Sequence, residues 1–341
     1  MSKLRYGALL HLGSNMWGDF EKDPLQYAHS AEEEAKLPKP LNASGNPEKY
    51  HSYLECRDEL WTEAVNRAAQ LGLDHIFIDL GEGIEYPSHP ELKVPGTWSV
   101  EKIRKELARM RALGVEPLPK LNFSTCHDSW LQWYHRMVST PKYYQVVADV
   151  IKDVCEIFDQ PKIFHLGFDE EVPVAGKSDF CMVIRQGELW WHDLEYTIAQ
   201  VEKNGSRAAI WADAICAGRE TFLKRMSKGV LMCPWYYYDD FSEKNLTWNA
   251  ACEKKVGTWD VQRNLAASFV ELDRAGYDLY ACTSNWGKDE ASSAMVKFCR
   301  EKLNPDHLKG IFTAPWQRTI PRCQKKTLQG LELFAQAIQE G

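Results

Sequence analysis

"SVEKIRKELARMRALGVEPLPKLNF", from Ser99 to Phe123, carries one passage from helix to strand complete. Ser99 is a side chain that caps a helix start, and Gly114 stands where such a helix ends in left-handed backbone. The apolar run Val115–Phe123 follows at once, in the β-friendly composition of a strand. The rest of the chain repeats this passage. Strand-like runs fall at Tyr6–Leu12, Leu73–Leu80, Val115–Phe123, Lys162–Phe168, Arg207–Asp213, Val230–Tyr238, Tyr277–Trp286 and Lys309–Trp316, each followed by a longer amphipathic stretch. Glycines just before the next run recur at Gly72, Gly114, Gly205, Gly229 and Gly276. In "CRDELWTEAVNRAAQLG", Leu60, Ala64, Ala68 and Leu71 share one helical face. Runs this apolar suit strands buried on both faces of a parallel sheet.

Eight such units predict an α/β fold, a single (β/α)8 barrel over residues 1–341, with a long polar loop after the first strand at about 18–56. An open doubly wound sheet is the competing fold. It would announce a glycine-rich phosphate loop after strand one, and "HLGSNMWGD" contains no G-x-G-x-x-G.

Composition narrows the function. Hydrophobic residues make up 44% and charged residues 26%, ordinary for a globular enzyme. The net charge of −7 and the lack of a basic run speak against nucleic acid or an anionic membrane surface. No stretch reaches the length of a membrane span. The ten cysteines form no C-x-x-C, and Cys155, Cys233 and Cys282 sit inside apolar runs as small hydrophobes. A reduced, cytoplasmic protein is expected, and the N-terminus shows no apolar signal segment. No cofactor is called for, and the oligomeric state stays open.

In a (β/α)8 barrel the active site forms at the C-terminal ends of the strands. Those ends are rich in polar and aromatic groups here: His11, Asn15 and Trp17; Asp79, Glu82, Glu85 and Tyr86; Asn122, His127, Asp128 and Trp130; His165, Asp169, Glu170 and Glu171; Trp211 and Asp213; Trp235 to Tyr238 and Asp239; Asn285 and Trp286; Trp316, Gln317 and Arg318. Carboxylates, amides and indoles on one rim describe a carbohydrate site, with His127, Trp211, Asp213, Trp235, Tyr237, Asn285, Trp286, Trp316 and Arg318 as candidate sugar contacts. Histidines at metal-ligand spacing are missing, so no metal is expected. In "KIFHLGFDEEV", Lys162 to Val172, three carboxylates crowd the end of strand four, and Glu171 reads as a solvated loop charge.

"HLGFDEE" resembles the H-x-G-x-D-E motif of glycoside hydrolase family 20, the β-N-acetylhexosaminidases, and the chain is similar to their divergent hexosaminidase D branch. "LLHLG", "PLPKLNFSTCH", "AIWAD", "TSNWG" and "APWQR" resemble the same branch in barrel order, from about residue 6 to 335. The resemblance implies an exo-acting enzyme that removes terminal GlcNAc or GalNAc with retention. Glu170 would be the general acid and base, and Asp169 would orient the substrate's own 2-acetamido group as nucleophile. His165 and Asn122 would brace them from behind, and the crowding with Asp169 would help keep a proton on Glu170.

The chain departs from typical members in three places. It has no Arg at the end of strand one, no Tyr-x-Asp at strand seven, and no small α/β domain ahead of the barrel. Two alternatives remain: a glycosidase for sugars without the acetamide, using Glu82, Asp213 or Asp239 as its second carboxylate, and a non-catalytic sugar-binding barrel.

Overall fold

The computed structural model describes residues 4–16, 51–171, 183–254 and 259–340. Trp17, Cys181 and most of the loop expected at 18–56 lie outside the described residues. Eight parallel strands close into a barrel in sequence order. They are β1 (Arg5–His11), β2 (His75–Asp79), β3 (Glu116–Lys120), β4 (Ile163–His165), β5 (Arg207–Trp211), β6 (Leu231–Cys233), β7 (Leu279–Thr283) and β8 (Leu308–Thr313). Between and after them run α1 (Asp58–Gln70), α2 (Val100–Ala112), α3 (Pro141–Ile157), α4 (Glu188–Lys203), α5 (Arg219–Arg225), α6 (Leu265–Arg274), α7 (Ala291–Lys302) and α8 (Pro321–Glu340). The (β/α)8 architecture expected from the repeating pattern is the one found.

Local chemistry sets the helix ends. The Ser99 side chain accepts the Lys102 N–H at the start of α2, and Thr140 accepts the Tyr143 N–H at the start of α3, where Pro141 opens the helix. At the other end α5 stops at Arg225, four residues short of Gly229, because Met226 already has extended backbone. In α1 the buried stripe is Trp61, Ala64, Val65 and Ala68, rotated from the face centred on Leu60 and Leu71.

Two features of the barrel wall bear on the site. β3 carries Pro117 and Pro119, whose nitrogens have no hydrogen to donate. The Glu116 N–H turns to Asp74 of the β2 side, so the nitrogens of residues 117 and 119 face β4. The β3–β4 ladder accordingly registers at the single pair Lys120 and His165, and β4 is only three residues long. The chain is thus free to turn just past His165. The barrel interior is filled by rings: Phe77 lies 5.1 Å from Phe312, 5.7 Å from His165 and 5.9 Å from Tyr280. Gly7 and Gly310 make room for this layer, since a Cβ on either would lie 2.2 Å from the His75 ring or 2.3 Å from the Tyr280 ring.

The nine described cysteines carry free thiols. Among the described residues no helix is long and apolar enough to cross a membrane.

Candidate active site

Past β4 the backbone leaves the strand through left-handed geometry at Gly167 (φ 74°), Phe168 (φ 66°) and Glu170 (φ 54°). A non-glycine residue rarely holds such an angle unless its surroundings impose it. Here they do. The Glu170 N–H donates to Asp213 Oδ2 (2.9 Å), the Ser124 hydroxyl donates to the Asp169 carbonyl (2.5 Å), and the Cys126 thiol donates to the Glu170 carbonyl (2.9 Å). On a continuing strand Asp169 and Glu170 would point to opposite faces. The turn brings both to the same imidazole: His127 Nε2 lies 3.4 Å from Asp169 Oδ2 and 3.4 Å from Glu170 Oε2.

Asn122 is the hub beneath this turn. Its Nδ2 donates to Asp169 Oδ1 (2.8 Å), and its Oδ1 accepts the N–H groups of Ser124 (3.0 Å) and Phe168 (3.3 Å). It packs directly under Gly167, where a Cβ would fall 1.9 Å from Asn122 Oδ1. His165 Nδ1 accepts the Gly167 N–H (3.0 Å), and its ring lies 4.5 Å from Trp211.

The electrostatics separate the groups. Burial disfavours a charged His127, but the carboxylates of Asp169 and Glu170 outweigh it and lift the imidazole to about 10. Burial would raise Asp169, yet His127, Lys120 and Asn122 bring it down to about 2. Asp213 goes the other way, to about 7, because it is buried and faces the charge on Asp169. His165 is driven down, first by burial and then by Lys120, and stays neutral. The crowding of like charges expected from the sequence is thus met by a cation, His127, set between the two carboxylates. His127, Asp169 and Glu170 bring their ligating atoms within 4.8 Å of one another.

A wall of rings stands beside the carboxylates. Trp235 donates its indole N–H to Asp213 Oδ1 (3.3 Å) and stacks on Tyr237 at 5.0 Å. Tyr237 approaches Trp316 (6.3 Å), and Trp316 approaches Trp211 (5.8 Å) and His11 (5.6 Å). The remaining candidates sit apart. Arg318 is buried at the end of β8, where its Nη1 donates to both oxygens of Glu55 (2.7 Å each) and meets His51 Nε2 at 3.0 Å. Trp286 lies on the rim, 45% exposed.

Asn285 does not face the mouth. Its Nδ2 donates to the Lys326 carbonyl of α8, and it packs against Gly330, because that helix offers the buried amide a fixed acceptor. Glu171 also departs from the sequence expectation of a solvated charge. Its side chain is buried and takes a two-oxygen bridge from Arg185, at 2.8 Å from Nε and 2.7 Å from Nη2. Arg185 Nη2 also donates to the Phe123 carbonyl, its Nη1 pairs with Asp193, and its guanidinium lies 4.9 Å from the Phe168 ring. This one side chain therefore ties the ends of β3 and β4 together.

Besides Ser124 and Cys126, sequence reading missed four contributors. Lys120 is fully buried in the barrel and pairs with Asp79 (2.5 Å), which also faces His11 at 3.4 Å. Arg185 and Glu55 are the others already met. Gln262, from a distant turn, donates to Glu170 Oε1 (3.0 Å). The alternation of β3 could have pointed to Lys120, two residues before Asn122; the other three carry no local signal.

The three carboxylates weighed from the sequence as a second catalytic group each have partners, and of them Asp213 stands at the turn itself. Glu82 accepts the N–H groups of Ser14 (2.8 Å) and Asn15 (3.0 Å), one on each oxygen. Asp213 has its two oxygens on the Glu170 N–H and the Trp235 indole. Asp239 is exposed and paired with Lys288 (2.8 Å).

The barrel is similar in fold to several solved β-N-acetylhexosaminidases. The fold is similar to that of the β-N-acetylhexosaminidase from Bacteroides fragilis (TM-score 0.57, 12% identity, covering 96% of this chain and 65% of that one). It is similar to the GH20 β-N-acetylhexosaminidase from Streptomyces coelicolor (TM-score 0.57, 10% identity, 96% of this chain and 63% of that one). It is also similar to Dispersin B (TM-score 0.56, 12% identity, 98% of this chain and 99% of that one). The chain thus spans under two thirds of the Bacteroides and Streptomyces chains and nearly all of Dispersin B. No family model and no curated protein matches the sequence.

Proposed function

We propose that the chain is a glycoside hydrolase of family 20, a divergent β-N-acetylhexosaminidase acting from the non-reducing end of a small glycan or glycoconjugate. The observation that carries this reading is the convergence of Asp169 and Glu170 on one side of the turn after β4, braced by His127 and Asn122. Glu170 transfers its proton to the glycosidic oxygen as the C1–O bond breaks. The carbonyl oxygen of the substrate's 2-acetamido group attacks C1, and Asp169, held ionised, takes the amide N–H and stabilises the positive charge of the cyclised intermediate. Glu170, now ionised, removes a proton from water, which adds to C1 and reopens the ring with overall retention.

A retaining enzyme with its own nucleophile needs a second carboxylate about 5 Å from the acid, across the scissile bond. Glu82, Asp213 and Asp239 are each bound to other donors, which favours a nucleophile supplied by the substrate. The rings of Trp235, Tyr237 and Trp316 offer apolar faces to the sugar and its acetyl methyl, Trp211 backs Trp316 from within the barrel, and Trp286 extends that surface at the rim. The fold likeness supports the same reading, since a Streptomyces plicatus β-hexosaminidase of similar fold is described in complex with the product GlcNAc. The free thiols fit a reducing, cytoplasmic setting.

The test is a panel of aryl β-glycosides with and without the 2-acetamido group. Hydrolysis confined to the acetamido sugars, inhibition by a thiazoline mimic of the cyclised intermediate, and a loss of about 10²–10⁴-fold in Glu170→Gln are the expected results. Turnover of sugars lacking the acetamide with no thiazoline inhibition would overturn the mechanism.

A further inference from the structure

We propose that Gln262 is a positioning residue for the acid, one that orients Glu170 in both of its protonation states; this rests on the function proposed above. Gln262 belongs to the short turn Trp259–Asn264, just before α6 and 92 residues from Glu170 in sequence. Its amide Nε2 donates to Glu170 Oε1 (3.0 Å), while Glu170 Oε2 faces His127 Nε2 (3.4 Å). The terminal torsion of a glutamate is broad, so an unrestrained carboxyl samples many orientations. Contacts on both oxygens from two different elements fix its plane.

The turn that presents Gln262 is itself anchored. Asn264 is fully buried and exchanges two hydrogen bonds with Asn249: the Asn249 N–H donates to Asn264 Oδ1 (2.9 Å), and Asn264 Nδ2 donates to the Asn249 carbonyl (3.1 Å).

The chemistry of the side chain matters as much as its place. Glu170 must first present a proton and then present a lone pair. A lysine at this position would favour the ionised carboxylate alone. A carboxamide carries a donor on one arm and an acceptor on the other, so a half-turn lets it accept from the protonated acid and donate to the base. Gln262 therefore holds the carboxyl plane through the whole cycle without adding a charge, while His127 keeps its contact with the other carboxylate oxygen and Asp213 keeps the Glu170 backbone N–H.

A role in aiming the proton has a signature that a purely structural role lacks. Departure of a poor leaving group depends on the acid, and departure of 2,4-dinitrophenolate does not. Gln262→Met keeps the volume and removes the amide, and Gln262→Asn keeps the amide and shortens its reach. For both variants kcat/KM on a β-linked GlcNAc disaccharide should fall by about tenfold or more, with little change on the dinitrophenyl β-GlcNAc glycoside. Gln262→Glu, which offers no amide donor, should not restore the disaccharide activity. An equal loss on both substrates, or no loss on either, overturns the assignment. A wild-type protein inert on every 2-acetamido substrate overturns the proposed function and this assignment with it, whereas an active wild type with unselective variants overturns this assignment alone.

Discussion

Gly167→Ala tests the architecture of the turn at its tightest point. Gly167 holds a φ of 74°, and a Cβ there would lie 1.9 Å from Asn122 Oδ1 and 2.3 Å from its Cγ. Left-handed backbone costs an L residue about 1–2 kcal/mol. Asn122 must then move, and its bond to the Asp169 carboxylate, a hydrogen bond to a charged group, contributes about 1.5–3 kcal/mol. Alanine also narrows the unfolded ensemble, which offsets about 0.4–1 kcal/mol. The net destabilisation is about 2–4 kcal/mol. At a urea slope of about 3 kcal/mol per molar, the unfolding midpoint falls by about 1 M.

The two closest approaches are to the Asn122 side chain and the third, at 2.8 Å, is to its Cα, so a double-mutant cycle isolates the side-chain part of the clash. In an Asn122→Ala background Gly167→Ala should cost less than it does in the wild type, because only the left-handed backbone and the approach to the Asn122 Cα remain. Urea unfolding followed by tryptophan fluorescence gives all four midpoints. Strict additivity of the two substitutions, or a Gly167→Ala midpoint equal to wild type, would refute the reasoning.

Arg185→Ala removes the partner of two buried carboxylates, Glu171 and Asp193, and should cost about 3–5 kcal/mol in urea unfolding, where an exposed ion pair would cost under about 1 kcal/mol; a loss that small would show the latch to be superficial. His127 is raised in the fold from 6.5 to about 10, so its contribution to stability is full below pH 6.5 and disappears as the pH climbs toward 10. The stability gap between wild type and His127→Gln should therefore narrow across that window. A gap that stays constant from pH 6 to 10 would mean that His127 is not held as a cation.

The acid side of the same cluster has the opposite sign. Asp169 is depressed in the fold to about 2, so its contribution is present above pH 3.8 and is lost as the pH falls toward 2. Wild type should lose more stability than Asp169→Asn between pH 4 and 2.

Local pattern made the barrel legible. A helix cap such as Ser99, a closing glycine such as Gly114 and an apolar run are short-range features, and eight repeats of them leave little choice of architecture. The strand limits were less legible. The run Val230–Tyr238 reads as one long strand, yet β6 pairs over Leu231–Cys233 only, because an apolar run does not say where a neighbour's ladder stops. The Asp169–Glu170 pair was visible as a motif, but its geometry was not. Three left-handed residues in a row of four positions turn the two carboxylates the same way, and those angles are imposed by Asp213, Ser124 and Cys126 from other strands.

The amino-acid sequence by itself determined the closed eightfold barrel, the rim on which its polar and aromatic residues gather, and the acid pair at the end of β4. Only the tertiary structure decided which side chains serve that pair. It turned Asn285 outward to α8, buried Glu171 against Arg185, set Lys120 beneath the site and brought Gln262 to Glu170 from 92 residues away. The physical reason is the range of the forces. Periodicity and capping act within a few residues along the chain, whereas buried charges and amides find their partners wherever the closed barrel places a matching group within hydrogen-bonding reach.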